Sequence, residues 1–192
     1  WDQKGPLKLV THHWGGNYMK GFDIYSKLDR LLSSEELKKK VNFTYIGNLP
    51  RNFSFKNSKH VKPLHGKELA QELSNHHVYL TASINEPAGM HHIEGALSGL
   101  PLIYRKSGAL PEYCAGYGLQ FINDDFLNKI KLMRRDYSKF KKVLQKYPHT
   151  SEEMCSKYIL LFKYLLKDKD KIIKSRKIFR NPFQMLFNIL FL

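Results

Sequence analysis

The sequence is poor in cysteine and in acidic residues, and it has no long apolar run. Its two cysteines, Cys114 and Cys155, stand far apart and form no C-x-x-C pair. That excludes a disulfide framework and a structural zinc cluster, and two free thiols in a reducing compartment are expected instead. No apolar stretch reaches the ~20 residues that a membrane-spanning helix needs. Internal repeats and low-complexity stretches are also absent. The opening segment, Trp1 to Pro6, lacks an initiator methionine, a basic n-region and an apolar core, so no secretory signal is read there. The expectation is a chain that begins mid-protein, just ahead of a strand.

Acidic residues number 17 against 32 Lys and Arg, for a formal net charge of +15. Such an excess implies an anionic partner: nucleic acid, anionic lipid or a phosphorylated small molecule. No basic and aromatic RNA-binding motif accompanies it, so nucleic acid is not the expected partner. Much of the excess lies late in the chain. From Lys163 to Arg180 there are eight basic residues against two acidic ones, Asp168 and Asp170. What remains is ordinary for a soluble globular domain, with 42% hydrophobic and 26% charged residues over 192 positions. A chain of this length buries roughly 70% of its unfolded surface without cross-links.

Short β-branched runs alternate with segments of helical spacing. Leu7–Thr11, Val41–Ile46, His60–Lys62, His77–Thr81, Leu102–Tyr104 and Leu119–Ile122 read as strands. Phe22 to Lys40, a segment after Gly66 with Leu69, Ala70 and Leu73, and Met90 to Ser98 read as helices between them. Helical spacing then continues over 124–134, 136–146 and 151–167, the last opened by Ser151 as N-cap ahead of Glu152 and Glu153. This alternation predicts an α/β fold: a Rossmann-like, doubly wound parallel sheet of about six strands, covered on both faces and followed by C-terminal helices. Ligands of such sheets bind beyond the carboxyl ends of the strands. The loops after Thr11, Thr81 and Tyr104 therefore share one rim.

One stretch on that rim carries chemistry. Glu86-Pro87-Ala88-Gly89-Met90-His91-His92-Ile93-Glu94 runs from the loop after a strand into a helix. A helix start offers backbone N–H groups and partial positive charge to a phosphate, and Gly89 lets a ligand approach the backbone. Glu86 and Glu94 can each accept hydrogen bonds from hydroxyls. Two carboxylates flanking an anion site fit a sugar–diphosphate–nucleoside. Acidic residues near a helix start also serve the helix dipole, which is the plainer alternative.

The order Ser83-Ile84-Asn85-Glu86-Pro87-Ala88-Gly89, then Glu94 to Ile103, then Gly108-Ala109-Leu110-Pro111-Glu112 resembles the donor-site signature of glycosyltransferase family 4. The likeness runs from Lys20-Gly21 through Gly47 and His65-Gly66 to Gly118. It implies the C-terminal, donor-binding half of a GT-B fold, with an N-terminal acceptor domain absent from this chain. By the resemblance, Glu86 contacts hydroxyls of the donor sugar, Gly89 and Met90 present N–H groups to the diphosphate, and Glu94 binds the ribose. Lys20 neutralises the leaving diphosphate. Glu86 and Lys20 are thus the expected catalytic pair. The family places an arginine five residues before that lysine, where this chain has Gly15. Gly15 and Gly16 are then candidates for close backbone approach to the phosphates, and Arg105 and Lys106 are possible substitute cations or plain surface charges.

His12, His13, His91 and His92 raise a metal reading, but their spacing is not of the HExxH kind and no metal or other cofactor is expected. His13 and Trp14 stand where they could line the cleft. Asp168-Lys169-Asp170 spells an Asp-x-Asp pattern amid lysines, and reads as a solvated charge run. In the tail from Ile172 to Leu192, Lys174, Arg176, Lys177 and Arg180 precede an apolar run opened by Pro182. That suits an anionic membrane surface, or packing on the absent domain.

The resulting expectations are a nucleotide-sugar-binding domain over 1–150 and a C-terminal helix with a basic, apolar tail over 151–192. The activity implied is retaining transfer of a sugar from a UDP- or GDP-sugar to a glycan or lipid-linked acceptor, in the cytoplasm or at a membrane surface. An epimerase of the same fold, a non-catalytic partner subunit and a basic nucleic-acid-binding protein are the alternatives.

Overall fold

The structure is a computed structural model that describes residues 1–175 and 182–190. Arg176, Lys177 and Arg180 of the basic run, with Phe191 and Leu192, lie outside the described residues. The chain divides into two compact units, Trp1–Pro148 and His149–Leu192.

The first unit is built on six strands: β1 (Leu7–His13), β2 (Val41–Gly47), β3 (Lys59–Val61), β4 (Val78–Thr81), β5 (Leu102–Arg105) and β6 (Gly118–Phe121). They form one sheet in the order β3-β2-β1-β4-β5-β6, with every pairing parallel. Side chains alternate across it. Leu7, Leu9, Phe43, Tyr45, Val78, Leu80 and Ile103 point into one core, and Val10, Ile46, Tyr79, Leu102 and Tyr104 into the other. Period-two alternation of apolar residues on both faces is what a sheet covered on both sides requires.

Helices α1 (Phe22–Leu31) and α6 (Phe126–Leu144) fill the first face with Phe22, Tyr25, Leu28, Phe126, Ile130 and Met133. Helices α3 (Gly66–Ser74), α4 (His91–Leu97) and α5 (Leu110–Cys114) fill the second with Leu73, Ile93, Ala96, Leu110 and Cys114. Each buried Leu, Ile, Phe or Met among them contributes about 1.5–3 kcal/mol. Both layers are therefore anchored by strong apolar contacts, and the doubly wound α/β architecture read from the sequence is the one observed.

Several local details differ from the sequence reading. β1 runs two residues further than Leu7–Thr11, because His12 and His13 keep pairing in register with Ile46 and Gly47. Phe22 to Lys40 is not one helix. It breaks after Leu31, and α2 (Glu35–Lys38) restarts from Ser34, whose hydroxyl accepts from Leu37 N–H. The segments at 124–134 and 136–146 are the two arms of α6, which run continuously from Phe126 to Leu144 across a kink at Asp136 (φ −106°, ψ 19°). Helix α5 has no counterpart among the sequence expectations, since a five-residue helix shows no periodicity. The N-cap of α7 (Ser151–Lys167) is Thr150 rather than Ser151, its hydroxyl accepting from Glu153 N–H at 3.2 Å.

The second unit holds α7, α8 (Lys169–Ser175) and α9 (Pro182–Leu190). Asp168 closes α7 and Asp170 lies in the first turn of α8, so the Asp-x-Asp pattern marks a helix junction. Among the described residues, no helix is long and apolar enough to cross a membrane.

Candidate functional site

In this strand order the connections reverse direction between β1 and β4, and a crevice opens beyond the carboxyl ends of those two strands. β1 delivers His12 and His13 to that rim and leads into a 3-10 turn, Tyr18–Lys20. β4 leads through Ser83 to Gly89 into α4. Lys20 and Glu86 thus meet on this rim although they are 66 residues apart, and Glu94 stands on the same rim against His12.

The Lys20 loop is held by direct backbone contact. Gly21 has φ +102°, and a Cβ there would lie 2.5 Å from Ala82 Cβ and 2.6 Å from its carbonyl carbon. Only glycine allows this approach. Ile84 N–H donates to Met19 O at 2.7 Å, tying the loop to the segment after β4. Lys20 Nζ then donates to Glu86 Oε2 at 2.8 Å, with the Glu86 side chain 9% exposed.

The Glu86 backbone is gripped from the other side. Gly108 (φ +54°) lies so close that a Cβ would be 2.4 Å from Glu86 O and 2.5 Å from its N, and Ala109 N–H donates to Glu86 O at 2.8 Å. Asn85, itself at φ +52°, donates its N–H to Ser107 Oγ at 2.8 Å. A Cβ on Gly89 would fall 2.8 Å from Glu86 Cδ and from the His91 ring. The Gly-Ala pair after β5 and the glycine before α4 are therefore packing requirements of one buried carboxylate.

Glu94, in the first turn of α4, has a different partner. An ionised carboxylate only accepts, so His12 Nε2–H donates to its Oε2, at 2.6 Å. This bond is the main cause that holds the Glu94 carboxyl below its ordinary range, burial acting against it. The Tyr79 hydroxyl sits 3.1 Å from His12 Nδ1 and accepts the His12 N–H at 3.0 Å. His12, Trp14, Gly47, Leu64, His65 and Glu94 line a cleft of about 270 Å³ next to this pair. Trp14 is 67% exposed, with its ring 5.0 Å from that of His65. A larger cavity of about 370 Å³ lies at the opposite rim, by Lys8, Asn42 and Lys59, away from both glutamates.

Behind the carboxylates lie buried histidines. His13 Nε2 is 3.2 Å from Thr11 Oγ1 and 3.0 Å from the Tyr25 hydroxyl, and His91 Nε2 is 2.9 Å from Thr81 Oγ1. The two rings are 4.5 Å apart. Burial, and then neighbouring histidines and Lys20, hold both well below the usual imidazole value, so both are neutral at pH 7. Burial likewise raises the Tyr25 hydroxyl to about 12. Among the described residues, no group of three or more His, Cys, Asp or Glu is arranged to hold a metal ion.

The remaining expected residues sort as follows. Gly89 and Met90 form the entry to α4, which begins at His91 rather than Met90. Gly15 lies beside the Lys20 side chain, where a Cβ would be 3.7 Å from Lys20 Cε. Gly16 has another reason: a Cβ there would meet Leu49 O at 2.5 Å, so its close approach is to the loop after β2. Arg105 does not reach the crevice. It pairs with Asp23 and lies over the Phe121 ring at 5.8 Å. The part of His12 in the site was missed, because ending β1 at Thr11 left its orientation undefined. The extension shows only in the pairing of His12 with Ile46 and His13 with Gly47, which no local pattern signals.

No protein-family model and no curated protein matches the sequence. Solved structures do. The pneumococcal O-GlcNAc transferase GtfA, in complex with UDP and GlcNAc, is 16% identical with a TM-score of 0.64, over 85% of this chain and 36% of that one. The catalytic domain of starch synthase IV from Arabidopsis thaliana, bound to ADP and acarbose, is 14% identical with a TM-score of 0.62, over 87% and 39%. Sucrose-phosphate synthase from Thermosynechococcus elongatus is 18% identical with a TM-score of 0.60, over 87% and 47%. The fold is the Rossmann-like C-terminal half of the GT-B architecture, as in these glycosyltransferases. The chain spans less than half the length of each.

Proposed function

We propose that this chain is the donor-binding half of a retaining glycosyltransferase that uses a nucleoside-diphosphate sugar, with UDP or GDP as the nucleotide. The observation that carries this is the convergence of Lys20, Glu86 and Glu94 on one rim at the switch point of the sheet. A cation and two acceptors, set beside the start of α4, match the alternating charge of sugar, diphosphate and ribose.

In this reading Glu94 accepts from ribose hydroxyls, and the base enters the cleft beside Trp14 and His65. The diphosphate lies by Lys20 and the N–H groups of Gly89 and Met90. Glu86 accepts from hydroxyls of the transferred sugar. The bond from the anomeric carbon to the phosphate oxygen breaks as the acceptor oxygen bonds to that carbon on the same face, and the acceptor hydroxyl passes its proton to the departing diphosphate oxygen. Negative charge grows on the departing diphosphate, where Lys20 offsets it. A preorganised cation of this kind stabilises the transition state without a metal ion. Before donor arrives, Lys20 is bonded to Glu86, so the diphosphate recruits a lysine already aimed at the site. The acceptor, a glycan or lipid-linked saccharide, is held largely by a further domain.

Titration of the chain with UDP, GDP and their sugars by calorimetry tests this. Wild type is expected to bind at least one of them, and a metal chelator leaves binding unchanged. Glu94→Ala and Lys20→Ala each weaken it by about tenfold or more. Unchanged binding in both variants refutes the site.

A further inference from the structure

We infer that His12 is a positioning residue for Glu94, and that the pair makes the site select ribonucleotides over 2′-deoxyribonucleotides. The inference rests on the reading of Glu94 as the ribose acceptor. The Glu94 side chain is 49% exposed. A glutamate that open ordinarily samples several rotamers, and ordering it opposes binding. Here the carboxylate is pinned through Oε2 by an imidazole that is 8% exposed and belongs to the central strand of the sheet.

The imidazole is itself fixed twice. Its backbone lies in β1, in register with Ile46 of β2, and the Tyr79 hydroxyl holds its Nδ1. Tyr79 is fully buried on the adjacent strand, and α4 closes over it: a Cβ on Gly95 would lie 2.4 Å from the Tyr79 ring. Gly95 directly follows Glu94. The residue that orients His12 is thus packed against the turn of helix that carries Glu94, and the triplet is one rigid assembly.

The arrangement holds in either charge state of the histidine. When His12 is neutral with Nε2–H toward Glu94, Nδ1 accepts from the Tyr79 hydroxyl. When it is protonated, Nδ1–H donates to that hydroxyl, whose own proton turns to His12 O at 3.2 Å. In both cases Nε2–H stays on Glu94 Oε2. His12 therefore acts as a fixed donor rather than as a switch.

A pinned carboxylate discriminates where a mobile one does not. The vicinal 2′- and 3′-hydroxyls of a ribose can both donate to it, one to Oε1 and one sharing Oε2. If the 2′-hydroxyl is missing, a free glutamate swings to the 3′-hydroxyl or to water. A carboxylate held by His12 cannot re-aim, and one acceptor position goes unfilled in the cleft. Sites that lose a fixed hydrogen-bond partner in this way reject the analogue strongly.

The test is calorimetric titration of the full chain with UDP, GDP, dUDP and dGDP, on wild type, His12→Ala, His12→Gln, Tyr79→Phe and Glu94→Gln, with a thermal midpoint recorded for each. Wild type is expected to prefer the ribonucleotide about tenfold or more. His12→Ala reduces the preference to about two- to threefold. His12→Gln, which keeps an N–H toward Glu94, restores most of it, and Tyr79→Phe gives an intermediate ratio with its core volume kept. A merely structural role lowers all affinities together and leaves the ratio alone. If His12→Ala, or Tyr79→Phe where that variant is the one that folds, keeps the full ratio while Glu94→Gln abolishes it, Glu94 works without His12 and the inference is overturned. If wild type binds none of the four nucleotides, the donor-site reading falls and this inference with it.

Discussion

The Lys20–Glu86 pair is the part of the site whose energetics follow most directly from the structure. Lys20→Ala leaves a carboxylate that is 9% exposed without its cation, whereas Glu86→Gln leaves a 27% exposed ammonium that water reaches more easily. At a separation near 2.8 Å, and an effective dielectric of about 20, the gross attraction is about 6 kcal/mol, and desolvation offsets most of it. A net coupling of about 1–2 kcal/mol remains. Stranding a largely buried charge costs more than the pair contributes, so Lys20→Ala is expected to destabilise by about 2–3 kcal/mol. Glu86→Gln keeps the shape and a carbonyl acceptor and is expected to lose about 1 kcal/mol. The double variant should be more stable than the sum of the two losses implies, because no charge is left stranded. Urea unfolding of the four proteins closes the cycle. In a unit of this size Lys20→Ala should lower the thermal midpoint by about 4–12 °C. Repeating the cycle at about 0.5 M salt should shrink the coupling only slightly, since salt screens a buried pair weakly. Additivity within about 0.5 kcal/mol would show that the two side chains do not act together, and would refute the reasoning.

Gly108→Ala is expected to weaken nucleotide-sugar binding and to destabilise the chain by about 2–4 kcal/mol, from a left-handed φ and a Cβ driven against the Glu86 backbone. Calorimetry and urea unfolding measure the two effects, and wild-type values in both would contradict the packing described. Stability should also fall on acidification. His13, His76, His77 and His91 all have imidazole values lowered by burial, His77 to about 4. The unfolded chain therefore binds more protons below the ordinary value of about 6.5, and ∂ΔG/∂pH is positive there. Their contribution is complete above about pH 6.5 and is lost as the pH falls toward about 4. Thermal midpoints from about pH 7.5 to about 5 should decline steadily, and a flat profile would contradict it.

Much of this was legible along the chain. Leu7–Thr11 and Val41–Ile46 announce strands by composition, and the alternation of such runs with helical segments already implies a sheet covered on both faces. Glu86, Gly89 and Glu94 stand together because a strand, a turn and a helix follow one another within a dozen residues. Helix ends were less legible. A five-residue α5 and a four-residue α2 are too short to show a period, and the N-cap moved to Thr150 because either neighbouring hydroxyl satisfies the rule. From its place after β5, Arg105 reads as either a substitute cation for the phosphates or a plain surface charge. Its actual partner, Asp23, is 82 residues away, beyond any local pattern.

The sequence by itself determined the period, the fold class and the types of residue at the rim, because backbone sterics, turn chemistry and hydrophobic alternation act over short spans. Only the tertiary structure decided which of those residues meet. That Lys20 bonds Glu86 and that His12 pins Glu94 depend on β1 lying beside β4 in the sheet, and that Gly108 grips Glu86 from behind depends on β5 lying on the other side of β4. Strand order is set by the packing of two whole layers, and no local spacing encodes it.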